Sequence, residues 1–282
     1  MSIKKIGKYS VLGQLGTGAH STILQISRQE DGRPYALKIV NVDSAEEKKF
    51  LDQAEHEFRV AQMLDHPNLI KVYALEPQTD WLFRVKKVML LIEYVPGRTL
   101  DKMPAASIKR LVPIFVEVAA GLVHMHRRGV FHADLKPGNI LVNGRTNQAK
   151  VIDYGLAHIK GEDKGGRLQG TPEYMAPETV TGRFVNEKTD MFNFGATMYR
   201  AVTCQFPPSV MPSGGTARIG AKSYADALKP VGDFNPSAPK ALCDIIHHCL
   251  RFNPENRPER MSEVQGQLDK LADDLGPPDD DE

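Results

Sequence analysis

The apolar positions change period several times along the chain, and each change predicts an element. Residues 9–15, 21–27 and 34–40 are short runs rich in β-forming side chains. They are broken by Gly16-Thr17-Gly18 and by Asp31-Gly32, a hairpin signal. Residues 45–64 switch to roughly helical spacing, with Phe50, Ala54, Phe58, Ala61 and Met63-Leu64 as the apolar positions, and Pro67 stops the helix. Two further β-like runs cover residues 70–75 and 81–94. Beyond Pro96 the pattern becomes helical, with long amphipathic stretches at 107–128, 188–203 and 240–252 separated by Pro- and Gly-rich loops. This predicts a β-rich first lobe and a helical second one, with the boundary near residues 93–97. There are no internal repeats.

Composition narrows the class. The chain is 41% hydrophobic and 25% charged with formal net charge +1, as expected of a globular protein without the single-sign field that nucleic acid would call for. No apolar run approaches the ~18 residues of a membrane span. The basic start, MSIKKIGKYS, has no apolar segment behind it and does not read as a signal peptide. Cys204, Cys243 and Cys249 form no C-x-x-C pair and read as reduced core thiols, which points to the cytoplasm. The ending PPDDDE reads as a solvated tail.

Four segments carry chemistry. In Gly16-Thr17-Gly18-Ala19-His20-Ser21, glycine lets backbone N–H groups approach a phosphate. Strands flank it on both sides, which excludes the strand-to-helix loops of Rossmann and Walker sites and favours a flap over a nucleotide. Lys38 lies in an apolar strand and needs a partner if it points inward; Glu57, on the next helix, is the candidate. His132-Ala133-Asp134-Leu135-Lys136-Pro137-Gly138-Asn139 combines three groups. Asp134 can take or orient a hydroxyl proton, Lys136 can neutralise phosphate charge, and Asn139 offers a neutral oxygen to a hard cation. Asp153, in Ile152-Asp153-Tyr154-Gly155, is the second metal-ligand candidate.

With these residues in order, and Ala176-Pro177-Glu178 after them, the chain resembles the eukaryotic-type protein kinase family over about residues 8–270. In style it is closer to bacterial Ser/Thr members. The resemblance implies an α+β fold of two lobes, β-rich over about residues 1–94 and mainly helical over about 95–270, with an ATP cleft between them and an acidic, disordered tail at 271–282. It implies a phosphotransferase using ATP with Mg²⁺ or Mn²⁺ on a protein Ser/Thr hydroxyl. Lys38, paired with Glu57, would contact the α- and β-phosphates. Asp134 would be the catalytic base, Lys136 would meet the transferred group, and Asn139 and Asp153 would hold the metal. Gly16, Thr17 and Gly18 would cover the phosphates. Leu15, Ile23, Ala36 and Leu141 would sandwich the purine, Glu93 and Val95 would offer hinge backbone, and Ile92 would guard the back pocket. Thr171 with Lys136 is the Ser/Thr pattern. Asp190 and Gly195 would lie on a helix anchoring the catalytic loop, and Glu178 would pair with Arg257. His132 reads as a brace for that loop. The spacings of His124 with His126 and of Cys243 with His247 are metal-compatible but fit packed helices better. The alternative is a pseudokinase scaffold that only binds partners; retention of Lys38, Asp134 and Asp153 argues against it.

Three positions depart from the family pattern. Ser21 replaces a third glycine and predicts a stiffer flap. Tyr154 replaces Phe, tolerable if its hydroxyl finds a partner. Ala133 replaces the arginine that grips an activating phosphate, and residues 155–170, GLAHIKGEDKGGRLQG, contain no Ser, Thr or Tyr. Activation by phosphate on this segment is therefore not expected. The segment is either competent unaided or ordered by a regulatory partner, and its Gly and charge content predicts mobility when free.

Overall fold

The computed structural model describes residues 5–18, 21–42, 48–82, 84–162, 169–182, 184–211 and 220–277. They divide into two compact units. The first comprises Met1–Asp65, Ile70–Pro96 and Asp153–Gly155, the second His66–Leu69, Gly97–Ile152 and Leu156–Glu282.

In the first unit, β1 (Lys5–Ile6), β2 (Tyr9–Thr17), β3 (Ser21–Arg28), β4 (Pro34–Asn41), β5 (Val72–Thr79) and β6 (Val85–Glu93) form one antiparallel sheet in the order β1-β2-β3-β4-β6-β5. Register decides which side chains share a face, because directly paired residues point the same way. Leu24, Leu37 and Leu91 make one row and Ile26 with Tyr35 the next. Together with Tyr9 and Met89 they form the core of this unit. The intervening rows, Ile23–Lys38–Leu90 and Gln25–Ala36–Ile92, turn to the opposite face. Helix α1 (Lys48–Gln62) packs on β4, β5 and β6 through Ala54, Glu57, Val60 and Ala61.

Two sequence expectations shift here. The helix expected from residue 45 is seen from Lys48 onward, and residues 43–47 lie outside the described residues. The run expected at 81–94 is a strand only from Val85, because Asp80 builds a turn first. Its Oδ1 accepts the backbone N–H groups of Leu82 (2.8 Å) and Arg84 (3.0 Å). Such a side-chain cap competes with the ladder and ends it.

The second unit is mainly helical. It holds β7 (Gly97–Thr99), α2 (Ile108–Arg127), β8 (Val130–Phe131), β9 (Ile140–Asn143), β10 (Ala149–Val151) and β11 (His158–Ile159). Then come α3 (Pro177–Thr181), α4 (Glu187–Thr203), α5 (Ala221–Ala227), α6 (Val231–Phe234), α7 (Lys240–Cys249) and α8 (Met261–Leu275). The Ser107 side chain caps α2, and Asn186 with Thr189 forms a capping box on α4. Buried Met191, Phe192, Phe194 and Met198 make α4 the core helix. A Cβ at Gly195 would lie 2.7 Å from the Cβ of Cys249, so the approach of α4 to α7 requires glycine there. Helix α8 runs to Leu275 with Leu271 buried, so residues 271–275 are packed helix where a disordered tail was expected. Residues 278–282 of that tail lie outside the described residues. Among the described residues no helix is long and apolar enough to cross a membrane.

Candidate active site

In the first unit, strand alternation turns Lys38 away from the core and toward α1. Its Nζ donates to Glu57 Oε2 at 2.7 Å and lies 3.8 Å from Asp153 Oδ1. Burial acts to lower the Lys38 pKa, but the charges of Glu57 and Asp153 outweigh it and hold the ammonium above its ordinary value. Burial pushes the Glu57 carboxyl up, against the pull of Lys38. Asp153 takes a left-handed backbone (φ 67°), unusual for a non-glycine residue, and its Oδ1 accepts the Gly155 N–H at 3.3 Å. Tyr154 is fully buried and its hydroxyl donates to the Ile70 carbonyl at 3.1 Å, the partner that a tyrosine there requires.

A cavity of about 200 Å³ in this unit is lined by Ser21, Lys38, Phe50, Gln53, Glu57 and Asp153, among others. In the sequence Phe50 reads only as one of the apolar positions of this helix, and Gln53 carries no role. Their i, i+3, i+7 relation to Glu57 on one helical stripe was the available signal. Gly16, Ile23, Ala36 and Ile92 sit on the same face of the sheet as Lys38, whereas Leu15 lies at a β-bulge and is exposed. The Gly18 N–H donates to the Ser21 carbonyl at 2.8 Å, and the Gln14 side chain donates to Thr17 Oγ1 at 2.6 Å. Glu93 ends β6, with its Oε2 accepting the Lys71 N–H at 3.2 Å, and Val95 follows two residues on. Ala19 and His20 of the glycine-rich stretch lie outside the described residues.

In the second unit, Asp134, Lys136, Asn139 and Thr171 form one hydrogen-bonded cluster. Asp134 Oδ1 accepts both the N–H and the hydroxyl of Thr171, each at 2.9 Å. Lys136 Nζ donates to Asp134 Oδ2 (2.8 Å) and Thr171 Oγ1 (2.6 Å). Asn139 donates its amide to the Asp134 carbonyl at 2.9 Å, which leaves its side-chain oxygen as the acceptor. Leu141 lies on β9, paired with Lys150 and Thr99.

The loop that carries Asp134 is anchored from below. Ala133 is left-handed (φ 68°), and it and His132 point successive N–H groups at Asp190, each at 2.8 Å. His126 Nε2 donates to the same carboxylate at 2.8 Å, and its Nδ1 lies 3.4 Å from Glu187 Oε1. His126 fits packed helix by its sequence neighbours, because its partners come from α4, more than sixty positions away. His247 Nε2 accepts the Val231 N–H at 3.2 Å, a structural use.

Burial disfavours charge on His126, but its two carboxylate partners prevail and raise its pKa from 6.5 to about 9. A pKa raised on folding stabilises the protein fully below about pH 6.5 and ceases to do so as pH climbs through about 9; the displacement is worth on the order of 3 kcal/mol. Urea-unfolding midpoints should fall across that window for the parent and flatten for His126→Gln. Equal slopes for the two proteins would rule the linkage out.

The description "Protein kinase domain" fits a family model matching residues 9–267. The chain is 30% identical over 269 residues to the DNA damage-responsive serine/threonine-protein kinase RqkA of Deinococcus radiodurans, covering 90% of this chain and 38% of that protein. It is 25% identical to the serine/threonine-protein kinase PrkC of Bacillus subtilis, over 93% of this chain and 40% of the relative. A probable serine/threonine-protein kinase of Streptomyces coelicolor is 26% identical, over 95% and 40%. The chain thus spans about two fifths of the length of these relatives.

Proposed function

The chain belongs to the protein kinase domain family, and from that premise we propose that it is a protein Ser/Thr kinase, moving the γ-phosphoryl group of ATP to a Ser or Thr hydroxyl of a protein substrate in the cytoplasm. The observation that carries this reading is the Lys38 ammonium held between Glu57 and Asp153, a half-buried cation whose retention suits phosphate binding better than stability.

Each residue then has a task. Lys38 binds the α- and β-phosphates, and Glu57 fixes its direction. Gly16, Thr17 and Gly18 cover the phosphates, Leu15, Ile23, Ala36 and Leu141 hold the purine, and Ile92, Glu93 and Val95 form the adenine edge of the site. Asp134 orients the acceptor hydroxyl and takes its proton. Lys136 neutralises charge on the transferred group, and Thr171 positions both. Asp153 and Asn139 suit a hard divalent ion: one is a carboxylate beside a cation, the other an amide whose N–H₂ is already spent on Asp134, leaving oxygen available. Mg²⁺, or Mn²⁺ in its place, would supply neutralisation of the phosphate oxygens.

Activation needs no phosphate on residues 155–170. The arginine that would grip one is Ala133, and the stretch has no hydroxyl to receive one; residues 163–168, where mobility was expected, lie outside the described residues. What supports autonomy is that the His132 and Ala133 N–H groups are held by Asp190, independent of any added charge. Protein stripped with a phosphatase should transfer labelled γ-phosphoryl from Mg-ATP to a generic basic protein at an undiminished rate. A collapse reversed by rephosphorylation would refute autonomy, and no transfer under any condition would favour the scaffold reading.

A further inference from the structure

The turn between β5 and β6 is not absorbed by the site. Trp81, the chain's one tryptophan, is 84% exposed there, and Leu82 beside it is 45% exposed. Single exposed apolar residues are ordinary. Here two bulky ones occupy adjacent apex positions of a hairpin, and the apex is held in shape. Asp80 Oδ1 accepts the Leu82 and Arg84 N–H groups, and the Asp80 N–H donates to the Arg84 carbonyl at 2.9 Å. The pair is presented on a pinned turn, so little ordering remains to be done on docking.

Behind the apex the sequence turns basic. Residues 79–87, TDWLFRVKK, contain Arg84, Lys86 and Lys87 against one acid, Asp80, whose carboxylate serves the turn. Arg84 and Lys86 are exposed and Lys87 is half-buried. The next acid down β5, Glu76, is engaged by the Tyr9 hydroxyl at 2.8 Å and by Lys8 at 2.9 Å.

We propose that this turn is a membrane-surface contact that inserts Trp81 and Leu82 into the interface of an anionic bilayer while Arg84, Lys86 and Lys87 meet its headgroups. The geometry favours lipid over a protein partner. A protein would need a concave pocket for a convex tip, whereas the headgroup region accepts an apex of any outline. Indole is the side chain that prefers that depth. The cations lie one to a few residues behind the apolar end, where an amphipathic anchor needs them. Each cation near an anionic surface strengthens binding about fivefold, an effect that screening by salt removes.

The single tryptophan makes the test direct. With the full chain, Trp emission should shift to the blue on adding phosphatidylcholine–phosphatidylglycerol vesicles, and much less with phosphatidylcholine alone or in high salt. The double variant Arg84→Gln/Lys86→Gln should bind the anionic vesicles roughly 30-fold more weakly. Leu82→Asp should lose binding at least about tenfold, and both variants should keep the parent rate of phosphoryl transfer in solution. Absence of a shift with anionic vesicles overturns the proposal, as does equal binding to neutral ones or indifference to the charge variants. A blue shift that grows with protein concentration without lipid overturns it in favour of self-association.

Discussion

Asp134→Asn is expected to lower the rate of phosphoryl transfer by on the order of 10²–10⁴-fold, the range over which a positioned acid–base group acts. The carboxylate accepts the N–H and O–H of Thr171 on one oxygen and the Lys136 ammonium on the other. An amide keeps one acceptor and places two N–H donors where an ammonium already donates. The variant therefore loses the proposed base and turns Lys136 aside in one change. Asp134 is not among the groups assigned to ATP, so the KM for ATP should stay within a fewfold of the parent. Steady-state kinetics with varied ATP and varied protein acceptor separates the two effects. A variant with near-parent kcat would remove Asp134 from the mechanism. One that lost ATP affinity instead would reassign it to nucleotide binding.

Arg257→Ala is expected to cost about 3–5 kcal/mol of stability, the scale for removing one partner of a buried ion pair. Arg257 and Glu178 are almost wholly buried, and the guanidinium uses all five of its N–H donors. Two meet the Glu178 oxygens at 2.7 and 2.9 Å. The others meet the carbonyls of Arg251 (2.8 Å), Lys188 (2.7 Å) and Phe252 (3.1 Å). Alanine leaves a buried carboxylate and three carbonyls without those donors. The double variant Glu178→Leu/Arg257→Met should recover part of the loss, because it removes both charges and fills the space. Urea-unfolding midpoints of the parent, the single and the double variants decide it. A single variant within about 1 kcal/mol of the parent would show that the pair does not hold this unit together.

The residues from His132 to Asn139 were legible because their geometry is local. A loop of eight residues brings Asp134, Lys136 and Asn139 within reach of one another. The Lys38–Glu57 pairing was legible because an ammonium in an apolar strand demands a partner and the next helix carries one on its buried stripe. Residues 81–84 misled, since Trp and Phe favour strands while the deciding group was the side-chain oxygen of Asp80. The last turn of residues 261–275 reads in the sequence as tail, because the acidic, Pro-containing end outweighs Leu268 and Leu271. Those two side chains acquire meaning only once packed.

By itself the sequence determined the two-part α+β plan and marked the groups proposed for the site, because periodicity and short motifs depend on neighbours a few positions apart. Tertiary structure alone decided what Asp190 holds. His126, His132 and Ala133 converge on one carboxylate 57 to 64 positions away. Register likewise decided that Lys38 shares a face with Ile23 and Ala36, while Leu37 joins the core. Partners so distant in the chain are chosen by packing and by the cost of leaving a buried charge unpaired, and neither leaves a mark at fixed spacing.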